Sequence, residues 1–222
     1  MQREHVALKA PPSRRFFLHL VDCSYWVLGL WFPSVLRWRL YASCLRRYYN
    51  RSARTYDRRA LFSGYGSGLD ASIAMLARQG YSPLLVLDAA CGTGFCTLKL
   101  ASAFPHARVV GLDLAPAMLN VATTTAAESG LANVEFVQGN VGRLPFSKAT
   151  FDLVVLQNAP VALSELIRAT RPTGVVVVTF SLGGGIAPCL MRLFIYRMRR
   201  WASVSSIGRE AASFWVILRP RS

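Results

Sequence analysis

A doubly wound α/β fold, with a mostly parallel sheet covered by helices on both faces and an N-terminal helical extension in front, is what this sequence predicts. Three observations carry that expectation. From residue 84 onward, short runs rich in β-branched residues alternate with helix-length segments, the pattern of consecutive βαβ units. A glycine-rich turn follows the first run and an acidic residue ends the second, both at strand ends where such sheets bind ligands. The 222 residues suit one domain with an appendage, since domains run roughly 100 to 200 residues.

Residues 1–63 read as a basic, aromatic helical segment and residues 64–222 as the α/β domain. Residues 16–36 are apolar and aromatic but include His19, Asp22 and Pro33. Roughly 20 such residues suffice to cross a bilayer; Asp22 and Pro33 weaken that reading. Trp26, Trp31, Trp38, Tyr48 and Tyr49, interleaved with Arg37, Arg39, Arg46 and Arg47, suit a helix lying in a lipid interface. Peripheral membrane contact through residues 16–49 is therefore expected, with a helical cap packed on the domain as the alternative. An arginine-rich, acid-poor amino terminus also fits a mitochondrial transit peptide, against which Glu4 and the aromatic bulk stand.

The expected strands follow in order: "LLVLD" (84–88), "RVVGLD" (108–113), "VEFVQG" (134–139), "FDLVVLQ" (151–157) and "GVVVVTF" (174–180). Between them, helices are expected over 93–103, 116–130 and about 161–170. Pro116 suits a first helical turn and Gly130 a C-terminal stop. The tail opens flexibly at "SLGGG" and then reads as an apolar, basic helix carrying Arg192, Arg197, Arg199 and Arg200. "SFWVILRP" reads as a final strand that Pro220 ends.

Composition narrows the function. Hydrophobic residues make up 53% of the chain and the mean hydropathy is +0.31, so either the core is large or apolar surface meets lipid or a partner. The net charge of +15 is unevenly placed: residues 1–60 carry 12 Lys and Arg against 3 Asp and Glu, residues 61–180 carry 7 against 7, and residues 181–222 carry 7 against 1. The neutral middle leaves the basic character to the two ends, where anionic lipid headgroups or nucleic acid are the matching partners. All but Lys9, Lys99 and Lys148 of these basic residues are arginines, a bias that genome composition alone can produce. Five cysteines without a C-x-x-C pair argue against a disulfide framework or zinc site and for a reducing, cytoplasmic setting. Of the three histidines only His106 lies in the neutral middle, so neither a histidine-centred triad nor a metal centre is expected.

The stretch "LDAACGTGF" (87–95) poses the cofactor question. Gly92 and Gly94 follow the first strand, Asp113 ends the second about 20 residues later, and "GNVGRLPF" follows the third; all three meet at the carboxyl ends of adjacent strands. A dinucleotide site would want G-x-G-x-x-G, but the sixth position here is Thr97 and Ala90 precedes Cys91. Asp88 is the stronger objection, because its carboxylate repels a pyrophosphate and complements a ligand bearing an ammonium and a sulfonium.

At these residues the sequence resembles the class I S-adenosylmethionine-dependent methyltransferases, and within them the small-molecule group that includes quinone-ring and phospholipid methyltransferases. Across residues 84–180, "VLDAACGTGF" looks like the family's first motif and "VVGLDLAPAML" like its second. "GNVGRLPFSKATFDLVV" looks like the third and fourth, and "ELIRATRPTGVVVVTF" like the helix and strand that follow. "YNRSARTYDRRA" is similar to the tyrosine-aspartate segment that precedes the fold in quinone and phospholipid methyltransferases. The resemblance implies a Rossmann-like sheet whose last strand is antiparallel at its edge. It also implies S-adenosylmethionine as cofactor, with Asp88, Ala90, Gly92 and Gly94 around its methionine portion. Asp113 would hold the ribose hydroxyls, Leu114 and Met118 would pack near the adenine, and Asn140 with Val141 would read the adenine's amino edge.

Departures from the family pattern are Ala90 for a usual glycine, Ala115 for serine, Asn140 for aspartate, "RPTG" for proline-glycine-glycine, and a short interval between "FDLVVLQ" and "SELIRA". Because the sulfonium already carries its leaving group, the protein need mainly orient an acceptor nucleophile, and no acid-base set is required. Gln157 and Asn158, at the end of the fourth strand, are expected to face the acceptor, with Tyr56, Asp57 and Tyr65 closing over it. The leading expectation is methyl transfer to a lipophilic small molecule, a quinone precursor or lipid, at a membrane surface. Two alternatives stand beside it. One is a nucleic-acid acceptor, given the basic ends and a faint similarity of "QNAP" (157–160) to the Asn/Asp-Pro-Pro-aromatic loop of nucleobase amino-methyltransferases. The other is a methyltransferase-like binding protein without turnover.

Overall fold

In the computed structural model, residues 39–60, 65–181, 195–210 and 213–221 are described. Helix α1 spans Arg39–Ala60 and α2 Ser67–Arg78. Then come β1 (Leu85–Ala89), α3 (Phe95–Ala103), β2 (Arg108–Asp113), α4 (Pro116–Glu128) and β3 (Val134–Gln138). The chain continues through β4 (Phe151–Gln157), α5 (Leu163–Ala169), β5 (Thr170–Ser181), β6 (Ala202–Glu210) and β7 (Ser213–Pro220).

The seven strands lie in the order β3-β2-β1-β4-β5-β7-β6. β1 to β5 are parallel, whereas β7 runs antiparallel to β5 and β6 antiparallel to β7. The expected Rossmann-like, mostly parallel sheet is therefore present, and the chain reverses direction of travel between β1 and β4. That reversal opens a crevice at the carboxyl ends of β1 and β4, the switch point where such sheets seat ligands.

Strand alternation explains why the sheet is buried on both faces. Val86, Val109, Leu153, Val155, Val175, Val177 and Ile217 face one core, which Leu69 and Leu76 of α2 and Cys96 and Leu100 of α3 complete. Leu87, Val110, Leu112, Val154, Leu156, Val176, Val178 and Val216 face the other, with Leu163 and Leu166 of α5. α4 starts at Pro116 and comes close to the N-cap of α3: a Cβ added to Gly94 would lie 3.0 Å from the Cβ of Ala122.

Four sequence expectations need correction. "SFWVILRP" is β7, but it is not the sheet edge: β6 lies outside it. β6 escaped the sequence reading because its half-exposed, serine-rich run offers little apolar periodicity. Its pairing is irregular between Val204 and Ser206, a common protection for an edge strand, and it fits only because Gly208 has no side chain where the Trp215 indole lies. β5 begins at Thr170, directly after α5 and four residues before the expected start at Gly174; its pairing with β4 jumps from Phe151–Thr170 to Leu153–Val175, so residues 171–174 bulge out of register before the regular strand. α4 ends at Glu128, with Ser129 as its C-cap and Gly130 at φ 67 just beyond; α3 begins at Phe95, two residues after the expected start, because Gly94 is its left-handed N-cap.

The candidate membrane stretch 16–36 lies outside the described residues, as do residues 182–194 of the basic tail with Arg192. Among the described residues, no helix is long and apolar enough to cross a membrane.

One sheet position bears directly on the site. Gly111 sits beside Asp88 in the β1–β2 register, and a Cβ there would lie 2.7 Å from the Phe136 ring and 3.0 Å from the Thr97 hydroxyl. Gly111→Ala is expected to cost about 1–3 kcal/mol, the range for overpacking a tight site. Urea unfolding reads this directly; an unchanged midpoint would mean that Phe136 swings aside freely.

Candidate active site

A pocket opens at the carboxyl ends of β1, β2 and β4 and encloses about 710 Å³, counting its open mouth. Its floor and walls include Ala90 and Gly92 after β1, Asp113, Leu114 and Met118 after β2, Asn140 and Val141 after β3, and Gln157 to Pro160 after β4. Its roof is α1, through Tyr41, Ala42, Leu45, Tyr49 and Tyr56.

The β1–α3 turn owes its shape to three residues in the left-handed region, Ala90 (φ 64), Gly92 (φ 56) and Gly94 (φ 87). Backbone bonds pin the turn to β2: Cys91 N–H donates to Leu112 O at 2.9 Å, and Gly94 N–H to Cys91 O at 3.0 Å. The Gly92 N–H donates to Asp113 Oδ2 at 2.9 Å, while Ala115 N–H donates to Oδ1 at 2.8 Å. Asp113 thus orders two loops at once. Burial pushes its carboxyl above the usual range, against the lowering effect of these N–H donors.

Ala90 stands where the resembling family has glycine, and its left-handed φ gives the physical reason for that preference. An L-residue in this conformation is strained by roughly 1–2 kcal/mol. Ala90→Gly is expected to raise stability by about 1 kcal/mol, after the greater chain freedom of unfolded glycine is set against the relief of strain. Thermal unfolding would show the gain, and a lower melting temperature would mean that the Ala90 methyl supplies packing outweighing the strain.

Asp88 and Gly94 take up positions different from those of the other expected cofactor residues, because neither lines the pocket. Gly94 serves the approach of α3 to α4, as above. Asp88 is fully buried beneath the turn. Its Oδ2 accepts from the Thr97 hydroxyl at 2.6 Å, and its Oδ1 has no hydrogen-bond partner. Desolvation raises the carboxyl to about 6, opposed by hydrogen bonds from Thr97 and Cys96 and reinforced by the charge of Asp113. Thr97, the residue that interrupts a dinucleotide glycine pattern, is therefore the hydroxyl donor to Asp88.

Asn140 and Val141 lie on the β3–β4 loop. The Asn140 Oδ1 accepts from Gly142 N–H at 2.8 Å, closing a local turn. Farther along, Arg168 donates to Phe146 O at 2.8 Å and Leu144 O at 3.1 Å, and the buried Glu165 accepts from Leu144 N–H at 3.0 Å. The Arg168–Glu165 pair (2.9 Å) on α5 so holds the loop in place.

On the acceptor side, Gln157, Asn158 and Tyr56 all reach the pocket. Asn158, at φ 49, also ties β4 to the end of β5, its Oδ1 accepting from Ser181 N–H at 2.6 Å. Asp57 is absent from the pocket wall and accepts instead from the Thr93 hydroxyl at 2.5 Å. Together with the Asn50 side chain, which accepts from Ala117 N–H at 3.1 Å, this bond latches α1 across the turn. Tyr65 lines the pocket and shares a hydrogen bond with Tyr56; burial drives its phenol well above the ordinary range.

Sequence reasoning missed Tyr41, Leu45, Ala159 and Pro160, and read Tyr49 only as a lipid-interface residue. The signal for three of them was available: Tyr41, Leu45, Tyr49 and Tyr56 fall at helical spacings that put them on one face of α1. Among the described residues, no group of three or more His, Cys, Asp or Glu is placed to hold a metal.

The arrangement fits an adenosyl sulfonium ligand. Asp113 brings a carboxylate to the pocket wall beside the apolar Leu114 and Met118, and the unpartnered Oδ1 of Asp88 lies beneath the turn. Comparison with known proteins agrees with that chemistry. Residues 86–174 match the family described as "Methyltransferase domain". The chain is 41% identical over 102 residues to demethylmenaquinone methyltransferase of Lactococcus lactis subsp. lactis (strain IL1403), covering 42% of this chain and 40% of that protein. It is 32% identical over 148 residues to malonyl-[acyl-carrier protein] O-methyltransferase of Dechloromonas aromatica (strain RCB), covering 63% of this chain and 50% of that protein. The chain thus spans about half or less of the length of these curated relatives. Among solved structures, magnesium protoporphyrin IX methyltransferase from Synechocystis PCC 6803 with bound SAH superposes with a TM-score of 0.64 at 19% identity, covering 81% of this chain and 99% of that one. The same Synechocystis enzyme with bound SAM gives 0.62 at 19% identity, covering 81% and 97%.

Proposed function

We propose that the chain, whose residues 86–174 match the methyltransferase-domain family, transfers a methyl group from S-adenosylmethionine to a lipophilic small molecule, a quinone precursor or lipid, at a membrane surface. The observation that carries this reading is the pocket in which the Asp113 side and the β4 side meet under a roof of four tyrosines, Tyr41, Tyr49, Tyr56 and Tyr65. Phenol rings offer flat apolar area with a polar edge, suited to a ring or acyl chain bearing oxygen.

The cofactor supplies a methyl carbon already bonded to a good leaving group. The protein's part is to hold that carbon and the acceptor in line, a contribution on the order of 7 to 11 kcal/mol when alignment is good. In this reading Asp113 fixes the ribose end, Ala90 and Gly92 let the backbone approach the methionine portion, and Gln157 with Asn158 bounds the acceptor. α1 excludes water from above.

The same helix supports the surface reading. While its tyrosine face looks into the pocket, Arg39, Arg46, Arg47, Arg51 and Arg54 are exposed. Arginines near an anionic leaflet each contribute about 1 kcal/mol, so a surface bound there would bring lipid close to the pocket roof. The names of the curated relatives, a demethylmenaquinone and an acyl-carrier methyltransferase, support an acceptor of quinone or acyl type.

The test is to incubate purified chain with methyl-labelled S-adenosylmethionine and anionic vesicles doped with a total quinone and lipid extract. Label entering the organic phase is expected. Cofactor binding without any organic label would remove the lipophilic acceptor, and absence of cofactor binding would favour a binding protein without turnover.

A further inference from the structure

We propose that Gln157 is the specificity-determining residue of the acceptor side, its side-chain amide reading an uncharged hydroxyl or carbonyl oxygen of the acceptor. The proposal rests on the methyltransferase reading above and adds to it the chemistry of the group that is recognised.

Gln157 ends β4, is 4% exposed and lines the pocket. Both ends of its amide, Nε2 and Oε1, are buried without a hydrogen-bond partner. Its register neighbour on β5 is Thr179, 2% exposed, whose hydroxyl is also unpartnered. More than nine in ten buried polar groups in folded proteins are satisfied. Two adjacent side chains that depart from that rule, at the carboxyl ends of neighbouring strands with one of them on a pocket wall, mark a place built to receive polar atoms.

Position along the sheet decides which ligand they receive. The residues matched to adenine and ribose sit after β3 and β2, those matched to the methionine portion after β1, and β4 and β5 follow on the far side. An acceptor attacking the methyl carbon in line would come from the β4 side. The amide offers one donor edge and one acceptor atom, so it satisfies a hydroxyl or a carbonyl. It carries no charge to offset a carboxylate or phosphate, whose burial without a partner is costly.

The experiment uses the full chain saturated with S-adenosylhomocysteine and three probes of one ring size: naphthalene, 1-naphthol and 1-naphthoate. Calorimetric titration is expected to rank 1-naphthol tightest, at least about tenfold over naphthalene, with 1-naphthoate weakest. In Gln157→Leu the preference for 1-naphthol is expected to fall to within about twofold, with S-adenosylhomocysteine affinity unchanged. Thr179→Val is expected to lower the preference severalfold.

Thermal unfolding of the unliganded variants adds a readout that separates recognition from structure. Leucine removes a buried amide that no protein group satisfies, so Gln157→Leu is expected to melt higher by about 2–4 °C; a glutamine kept for structure would melt lower when replaced. The proposal is overturned if 1-naphthoate binds tightest, if the hydroxyl preference survives in Gln157→Leu, or if that variant loses S-adenosylhomocysteine instead, which would assign the amide to the cofactor. Failure of the wild-type chain to bind S-adenosylhomocysteine would count against the methyltransferase reading itself.

Discussion

Asp113→Ala is expected to abolish measurable cofactor binding and to destabilise the unliganded protein by about 2–4 kcal/mol. The stability loss comes from the protein's own backbone. Gly92 N–H and Ala115 N–H both donate to this one carboxylate, and each buried donor left without an acceptor costs about 1–3 kcal/mol. The affinity loss adds the ribose contacts. Two hydroxyls bonded to a carboxylate contribute about 1.5–3 kcal/mol each, so even one lost bond is more than tenfold and two exceed a hundredfold.

Asp113→Asn separates the two effects. Its single carbonyl oxygen can keep one loop N–H, but its amide turns a donor toward the other. It is expected to fold with about half the stability loss while still binding cofactor at least tenfold more weakly. Calorimetric titration with S-adenosylhomocysteine, run beside urea unfolding, checks both numbers. Full affinity in a stably folded Asp113→Ala would remove this residue from the cofactor seat and with it the orientation of the adenosine along β2.

How much of this was legible in sequence depended on the physical kind of signal. β1 to β5 were readable because a strand buried on both faces must be almost continuously apolar, and "VVGL" or "VVVV" has few other fates. Asp113 was readable because a carboxylate at the end of such a strand needs a partner. Ala90 was visible as a departure from the family, but its left-handed φ is a property of three-dimensional turn geometry. β6 was illegible because its stability comes from pairing with β7 and from the Gly208–Trp215 approach, both contacts distant from its own composition. The role of α1 was misweighted. Its tyrosines and arginines read as one interfacial mixture until helical geometry sorted them, Tyr41, Tyr49 and Tyr56 toward the pocket and Tyr48 with the arginines away from it. Asp57, expected at the acceptor, proved to hold the Thr93 hydroxyl instead, a pairing that no spacing in the chain announces.

The unliganded protein is expected to lose about 3 kcal/mol of stability as pH rises from 4 to above 6, through Asp88 alone. This carboxyl is fully buried, with one oxygen unpartnered, and its folded value is about 6 against an ordinary 3.8. A raised folded value means that the native state holds the proton more tightly than the unfolded state. Between pH 4 and 6 the native form is therefore the more protonated, and stability falls as pH rises. About two pKa units at 1.36 kcal/mol each set the size; above the folded value the loss is complete and constant. Asp113, also raised by burial, acts in the same direction, whereas Asp152, lowered by its hydrogen bonds from Arg171 and the Leu85 and Leu84 N–H groups, acts in the opposite one. The measurement is therefore the difference between wild type and Asp88→Asn across this window. The variant is expected to match wild type near pH 4 and to be more stable by about 1–3 kcal/mol at pH 8, where the neutral amide escapes the desolvation of a charge. A cationic ligand reverses the balance. The ionised Asp88 attracts an ammonium or sulfonium across a low-dielectric floor, so binding of S-adenosylmethionine by wild type is expected to weaken below about pH 6 and to release a proton there. Asp88→Asn should bind more weakly at pH 8 and show neither effect. Calorimetry in buffers of different ionisation enthalpy counts the proton, and urea unfolding at each pH gives the stability. An Asp88→Asn variant less stable than wild type at pH 8 would mean that Thr97 and Cys96 already satisfy the native carboxylate in full. The strain held by Asp88 in the unliganded protein would then no longer be available to favour a positively charged methyl donor.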